Sequence, residues 1–335
     1  MIELKEIGEF GFINKISKDS LIRPQNVLKA IGDDAAVFRL EKDEVILITT
    51  DMLVERIHFL RDKISGYCLG YKSLSVNLSD IAAMGGIAKE AFISIAIPPS
   101  YNFDYIEDIY RGIKGLAKEF FVNILGGDTT SSKSDLIINI TVIGAAKPNN
   151  ILYRSNAKVG DIICSTGFLG DSRAGLYILL NNINDISEEI KGLVNAHLIP
   201  KPYLKEGYFL ANQVGVNAAI DVSDGLSSDL HHIIDESSVG ATLFYESIPI
   251  SENMKWFCNT FGFDPIEYAI SGGEDYTLLC TLSPQYSDKI IYEYNKTFSQ
   301  KLYPIGKIND SNIIEISYPD GRVKEVLKSG WDHFR

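Results

Sequence analysis

The chain has 335 residues, 45% of them hydrophobic and 10% aromatic, which is enough for about two domains with a sizeable buried core. Charged residues make up 23%, and 44 Asp plus Glu against 32 Lys plus Arg give a formal net charge of -12, which argues against a duplex-DNA binder with a basic face. Anionic small molecules stay open, because bound metal ions invert the local sign.

The opening segment MIELKEIGEFGF mixes acids into its first residues and has no apolar core, so it does not read as a signal peptide. Short runs rich in Ile and Val then alternate with longer helical patterns, the mark of a mixed α/β (α+β) chain. In chain order, strands are predicted at 45–50, 91–97, 136–145, 161–165, 241–245, 276–281 and 313–318, and helices at 67–83, 103–120, 172–180, 203–213 and 226–236. None of the apolar runs approaches the roughly 20 residues a spanning helix needs, so no membrane association is expected. Lys147-Pro148-Asn149-Asn150, followed by Arg154-Ser155-Asn156-Ala157, interrupts the pattern and sets a domain boundary, giving domains 1–149 and 150–335. The stretch 309–326 reads as a hairpin closed by Pro319-Asp320-Gly321. Cys68, Cys164, Cys258 and Cys280 stand far apart with no CxxC pair, which fits reduced thiols in a cytoplasmic protein better than a disulfide framework or a zinc site.

Acidic residues collect in short motifs with Gly, Ser and Thr at the junctions of predicted elements. They are Gly32-Asp33-Asp34-Ala35-Ala36, Thr49-Thr50-Asp51, Asn77-Leu78-Ser79-Asp80, Gly126-Gly127-Asp128-Thr129, Asp221-Val222-Ser223-Asp224-Gly225 and Ser271-Gly272-Gly273-Glu274-Asp275. Any one of them has a plain alternative as an Asx turn or helix cap. Asp51 is different, because it ends an apolar run expected to be a buried strand, where an unpaired carboxylate is costly. Asp80 likewise sits on an otherwise apolar helix. If these carboxylates converge, their mutual repulsion raises pKa values or demands cations, and hard oxygen ligands of this kind select Mg²⁺ or Mn²⁺ shared with substrate phosphates. The paired glycines 126–127 and 272–273 let a backbone approach phosphate closely. There is no P-loop and no protein-kinase motif set, and Gly167-Phe168-Leu169-Gly170 is only a loose Gly-rich turn.

Taken together, the motifs resemble those of the thiamine-monophosphate kinases, within the aminoimidazole-ribotide synthetase-like superfamily. The resemblance runs in order from Gly8-Glu9-Phe10 through GDDAA, TTDMLVERIHF, GYKSLSVNLSDIAAMGG, GGDTT, DVSDGLSSDL and SGGEDY to GWDHF, over essentially the whole chain. The loop Val54-Glu55-Arg56-Ile57 ahead of His58 carries more charge than the pattern leads one to expect. The resemblance implies a two-domain fold, with an N-terminal ATP- and metal-binding sheet forming a barrel in a homodimer and a C-terminal α/β domain completing the active site. It also implies transfer of the ATP γ-phosphoryl group to thiamine monophosphate, in thiamine diphosphate biosynthesis.

Carried over residue by residue, the resemblance gives as metal ligands Asp34, Thr49, Thr50, Asp51, Asp80, Asp128, Asp221 and Asp224, with several Mg²⁺ ions. It gives Tyr110, Gly127, Asp128, Arg154 and Ser223 for ATP, His58, Glu274 and Trp331 for thiamine monophosphate, and Asp51, Asp128 and Asp224 as the catalytic acids. A forked guanidinium at Arg154 suits phosphate oxygens, and Trp331 suits stacking on an aromatic ring. Whether Glu274 or Asp275 faces the substrate is open at this level. The competing readings are another ATP-using enzyme of the superfamily with a different acceptor, and a non-catalytic nucleotide sensor. Against the first, no Cys stands in a C-terminal tail or near the N-terminus; against the second, idle carboxylates gathered in one place would only repel.

Overall fold

The computed structural model describes residues 18–25, 27–29, 37–38, 43–183 and 187–330. Asp34, with its GDDAA motif, Trp331 and the segment Gly8-Glu9-Phe10 lie outside the described residues. The chain divides into two compact units, one of residues 1–81 with 86–149 and one of residues 82–85 with 150–335.

In the first unit, β1 (Val27–Lys29) pairs antiparallel with β2 (Val37–Phe38). Then follow β3 (Val45–Val54), α1 (Gly66–Ala83), β4 (Ile87–Ile97), α2 (Phe103–Glu119), β5 (Asn123–Ser131) and β6 (Ile137–Ala146). Among the described residues the main sheet has the order β3-β6-β4-β5, antiparallel except for the β4–β5 pair. Strand β3 runs past the expected end at Thr50, because the alternation that buries Leu47 and Leu53 and exposes Ile48 and Met52 carries on through Asp51. Asp51 therefore lies inside a half-buried strand and does not terminate a buried one.

Helix α1 is buried nearly all round, which is why it carries so many small polar residues that answer their own backbone: Ser73 Oγ donates to the Leu69 carbonyl at 2.7 Å and Asn77 Nδ2 to the Ser73 carbonyl at 3.1 Å. Two glycines set its distance from α2. A Cβ on Gly70 would stand 1.8 Å from the Ile109 carbonyl oxygen, and one on Gly112 would stand 2.0 Å from that of Tyr67. The amphipathic α2 starts from the Asn102 side chain, which accepts from the Tyr105 N–H at 2.9 Å, and buries Ile106, Ile109, Ile113 and Leu116.

The second unit contains β7 (Ile162–Ser165), α3 (Asp171–Leu180), α4 (Glu188–Leu198), α5 (Leu204–Ala211), β8 (Val216–Asp221), α6 (Leu226–Ser237) and β9 (Gly240–Phe244). It continues with α7 (Glu252–Phe261), α8 (Pro265–Ser271), β10 (Leu278–Leu282), α9 (Ser287–Thr297), β11 (Tyr303–Asn309), β12 (Ile314–Ser317) and β13 (Val323–Glu325). The described strands order as β13-β12-β9-β11-β7-β10-β8, with only β12–β9 parallel. Leu226, Leu230 and Ile233 of α6 pack with Ile163, Ile220 and Leu279 in the main core, while α3, α4, α7 and α8 enclose a second one around Phe257. Strands 91–97, 136–145, 161–165, 241–245 and 313–318 appear within a few residues of expectation, and the 309–326 hairpin forms with Gly321 at φ +84°. Strand β10 starts later than expected and α5 one residue later, because Tyr276 (φ +52°) and Tyr203 (φ +47°) are left-handed and fit neither element.

No helix of the described residues is long and apolar enough to cross a membrane.

Candidate active site

In the first unit the chemistry gathers where β3 passes α1. Asn77 and Asp80 are three residues apart and so share one helix face. Asn77 Oδ1 accepts from the Asp51 N–H at 3.1 Å, and the Asp80 carboxylate accepts from the Thr49 hydroxyl. Asp51 and Asp80 thus sit close enough to repel. Burial first, and then the Asp80 charge, push the Asp51 carboxyl up to about 7, both in the same direction. This is the convergence of acids that the motifs suggested, though for two carboxylates only. Among the described residues, no three His, Cys, Asp or Glu side chains come close enough to hold a metal by themselves.

Thr50 points the other way. Its hydroxyl accepts from Thr141 Oγ1 and from Asn139 Nδ2, each at 3.1 Å, on the sheet face opposite Thr49. Across the sheet, Asp51 is level with Ile140, Ile93 and Gly127. Gly127 has φ +149°, and a Cβ there would lie 1.7 Å from the Ile93 carbonyl oxygen, so only glycine lets β5 run this close to β4. Asp128 follows it, exposed. The GGDTT motif is therefore a strand and not a loop, a point the paired glycines concealed. Tyr110 is buried on α2, and burial pushes its hydroxyl well above the ordinary tyrosine value.

His58 lies in the turn after β3, where its Nδ1 accepts from the Val54 N–H at 3.0 Å, leaving the ring proton on Nε2. The excess charge of this turn is structural. Glu55 Oε2 accepts from the Leu136 N–H at 2.9 Å, and Arg56 reaches Asp135.

In the second unit, the end of β8 and the entry to β10 are neighbours, with Leu278 opposite Asp221. That pairing brings DVSDG against GGEDY. The Glu274 N–H donates to the Ser223 carbonyl at 2.7 Å and the Tyr276 N–H to the Val222 carbonyl at 2.8 Å. Asp221 is buried, and the loop beyond it is held by Asp229, whose Oδ2 accepts from the Asp224 N–H at 3.1 Å and the Gly225 N–H at 3.0 Å. Burial, then the Asp224 charge, raise the Asp229 carboxyl to about 7, against the pull of these two backbone hydrogen bonds and, last, of Arg154. Asp229 was not among the residues singled out from the sequence. Its signal was an acid in the first turn of a helix that follows a glycine.

The adjacent acids 274 and 275 divide their roles. Asp275 is half-buried and caps α3, with Oδ2 accepting from the Gly170 N–H at 2.6 Å and Oδ1 from the Ser172 N–H at 3.1 Å; burial raises its carboxyl far above the usual range. Glu274 keeps 28% of its side chain exposed. Arg154 is exposed on a 3₁₀ turn, its Nη1 4.0 Å from Glu236 Oε1. Gly330 packs against the Asp224 carbonyl, and the Ser227 hydroxyl donates to the Leu327 carbonyl at 2.9 Å.

Residues 32–146 match the family model for the N-terminal domain of AIR synthase related proteins, and residues 158–319 match that for the C-terminal domain. The thiamine-monophosphate kinase of Buchnera aphidicola from Acyrthosiphon pisum is 39% identical over 97% of this chain and 98% of its own. That of Aquifex aeolicus is 34% identical over 99% of this chain and 100% of its own. A solved structure, AaThiL complexed with AMPPCP and TMP, superposes with a TM-score of 0.79 at 31% identity, covering 100% of this chain and 99% of that one. With both domain models matched in order and such relatives aligned end to end, this chain belongs to the thiamine-monophosphate kinase family of AIR synthase related proteins.

Proposed function

We propose that this chain transfers the γ-phosphoryl group of ATP to the phosphate of thiamine monophosphate, giving thiamine diphosphate and ADP. The observation that carries the reading is the Asp51–Asp80 pair, two carboxylates pressed together in a chain of this family. Such a pair with a neighbouring threonine oxygen fits Mg²⁺, which binds through one or two carboxylates and completes its shell with water and substrate phosphates. Thr49, Asp51, Asp80, Asp128, Asp221 and Asp224 would hold metal, with Asp34 lying outside the described residues. Thr50, its hydroxyl engaged on the other face, would contribute an oxygen only after that hydroxyl turns. When bound, the ions would neutralise the two polyanions and stabilise charge on the leaving oxygen.

The substrate phosphate is already an anion near pH 7, so the attack is direct and in line and needs no strong general base. The new bond forms between its oxygen and the γ-phosphorus, the β–γ bridge breaks, and ADP leaves. Arg154 would grip ATP phosphate oxygens, with Tyr110, Gly127 and Ser223 shaping the nucleotide's seat. His58 would donate from Nε2 to the substrate phosphate, Glu274 would face the amino-bearing or cationic rings, and Trp331 would stack on them. Asp51, Asp128 and Asp224 are the acids on which turnover depends. The same reading includes a cytoplasmic homodimer, supported by the apolar stripe of Ile46, Ile48 and Met52 exposed on β3.

The test is an assay of purified protein with ATP, Mg²⁺ and thiamine monophosphate, following thiamine diphosphate and ADP. Product that vanishes on chelation is expected, and ATP binding with no thiamine diphosphate formed sinks the reading.

A further inference from the structure

His197, on the last turn of α4, is only 5% exposed, yet its Nδ1 lies 3.0 Å from Ser172 Oγ and 3.3 Å from Glu274 Oε2. Packing alone would be satisfied by the hydroxyl. A carboxylate this near to the nitrogen places the proton on Nδ1, so the ring donates toward a hydroxyl and a carboxylate together. Ser172 is itself anchored, since its N–H donates to Asp275. Glu274 has φ +62° and Tyr276 φ +52°, conformations that cost a residue with a side chain and persist only where the surroundings impose them. The backbone on either side is tied to the Ser223 and Val222 carbonyls. The side chain itself reaches back to His197.

We propose that His197 is a positioning residue: through Ser172 and Glu274 it aims the Glu274 carboxylate, and so sets how tightly the acceptor is held. This rests on the assignment of Glu274 to thiamine monophosphate made above. It makes α4, which carries none of the recognised motifs, a determinant of acceptor affinity.

The test uses the full chain with each substrate varied in turn. In His197→Asn the side-chain amide takes the place of Nδ1, whereas in His197→Gln it falls near Nε2, out of reach of Glu274. We expect H197Q to raise KM for thiamine monophosphate about tenfold, the loss of one charge-assisted hydrogen bond, while kcat and KM for ATP stay near wild type. H197N should restore KM for thiamine monophosphate, and H197Q combined with Glu274→Gln should lose no more than Glu274→Gln alone. Equal effects of the two His197 variants, an additive double variant, or an unmoved KM in H197Q overturns the proposal. Nitrogen-15 NMR of the wild-type imidazole decides independently of whether any variant folds: a proton on Nδ1 is expected, and a neutral ring protonated only at Nε2 overturns it. A wild-type protein inactive on thiamine monophosphate overturns the functional reading and this one with it, whereas an active wild type with an unmoved H197Q overturns this one alone.

Discussion

Arg56 grips Asp135 in a fork, with Nε 2.7 Å from Oδ1 and Nη2 2.6 Å from Oδ2. The pair ties the turn that carries His58 to the residue before Leu136, at the foot of β6, and it does so with Arg56 in a left-handed conformation, φ +68°. Both side chains contribute little to stability from the surface, so the pair's value is in aiming the turn. Arg56→Ala should therefore leave the melting temperature near wild type but raise KM for thiamine monophosphate. Kinetics at low and high ionic strength check this, because salt should move wild type toward the variant.

Asp51 sets activity against stability. Asp51→Asn keeps the shape of the side chain and removes a charge that burial and Asp80 both oppose. Turnover should fall by about 100-fold or more, as when one preorganised electrostatic group is lost. In the metal-free protein the melting temperature should rise above pH 7, where wild-type Asp51 is ionised, and match wild type near pH 4. Melting curves at the two pH values, with kcat from the same preparations, test both halves.

Gly127 and Gly160 separate crowding from backbone strain. Both have positive φ, but a Cβ on Gly160 would meet nothing within 4 Å, whereas on Gly127 it would lie inside the Ile93 carbonyl. Gly160→Ala should cost about 1 to 2 kcal/mol, the price of a left-handed residue with a side chain. Gly127→Ala should cost more than about 4 kcal/mol and part β5 from β4. Urea unfolding of the two variants gives the comparison.

Asp171 makes stability depend on pH. Its Oδ1 accepts from Ser251 Oγ at 2.7 Å, and burial raises its carboxyl from 3.8 to about 6. Between those values the folded chain holds a proton that the unfolded chain has released. This contribution is therefore complete below pH 4 and is lost as the pH climbs through 6. Asp171→Asn, which keeps the acceptor and drops the charge, should be the more stable protein at pH 8 by up to about 3 kcal/mol, with the gap closing toward pH 4. Denaturant midpoints across that range measure it.

Much of the architecture was legible because it rests on local patterning. The alternation of β4 and β6 and the capped, amphipathic α2 carry their own signals. Helices α4, α7 and α8 were not foreseen, although Ser187, Ser251 and Asp264 stand at their N-caps, each accepting from a backbone N–H. These helices are short, and their apolar faces become recognisable only around Phe257. Strand β8 is concealed by its small residues, Asn217-Ala218-Ala219, which fit under the packing at the sheet's edge but carry little strand signal. The motifs marked where acids gather. They did not reveal that Thr50 faces away from Thr49, that Asp229 holds the loop after β8, or which of two adjacent acids turns inward, because pleat, cap and left-handed backbone are set by partners distant in sequence.

The left-handed residues on either side of Asp275 have a consequence for how this protein can change. The chain turns sharply at both Glu274 and Tyr276, so neighbours in sequence point apart, one acid anchoring the start of α3 and the other reaching His197. If Glu274 meets the acceptor as proposed, variation at position 274 acts first on acceptor binding, while variation at position 275 unseats a helix. On the proposed assignment of Glu274, acceptor choice and foldability are separate traits written one residue apart.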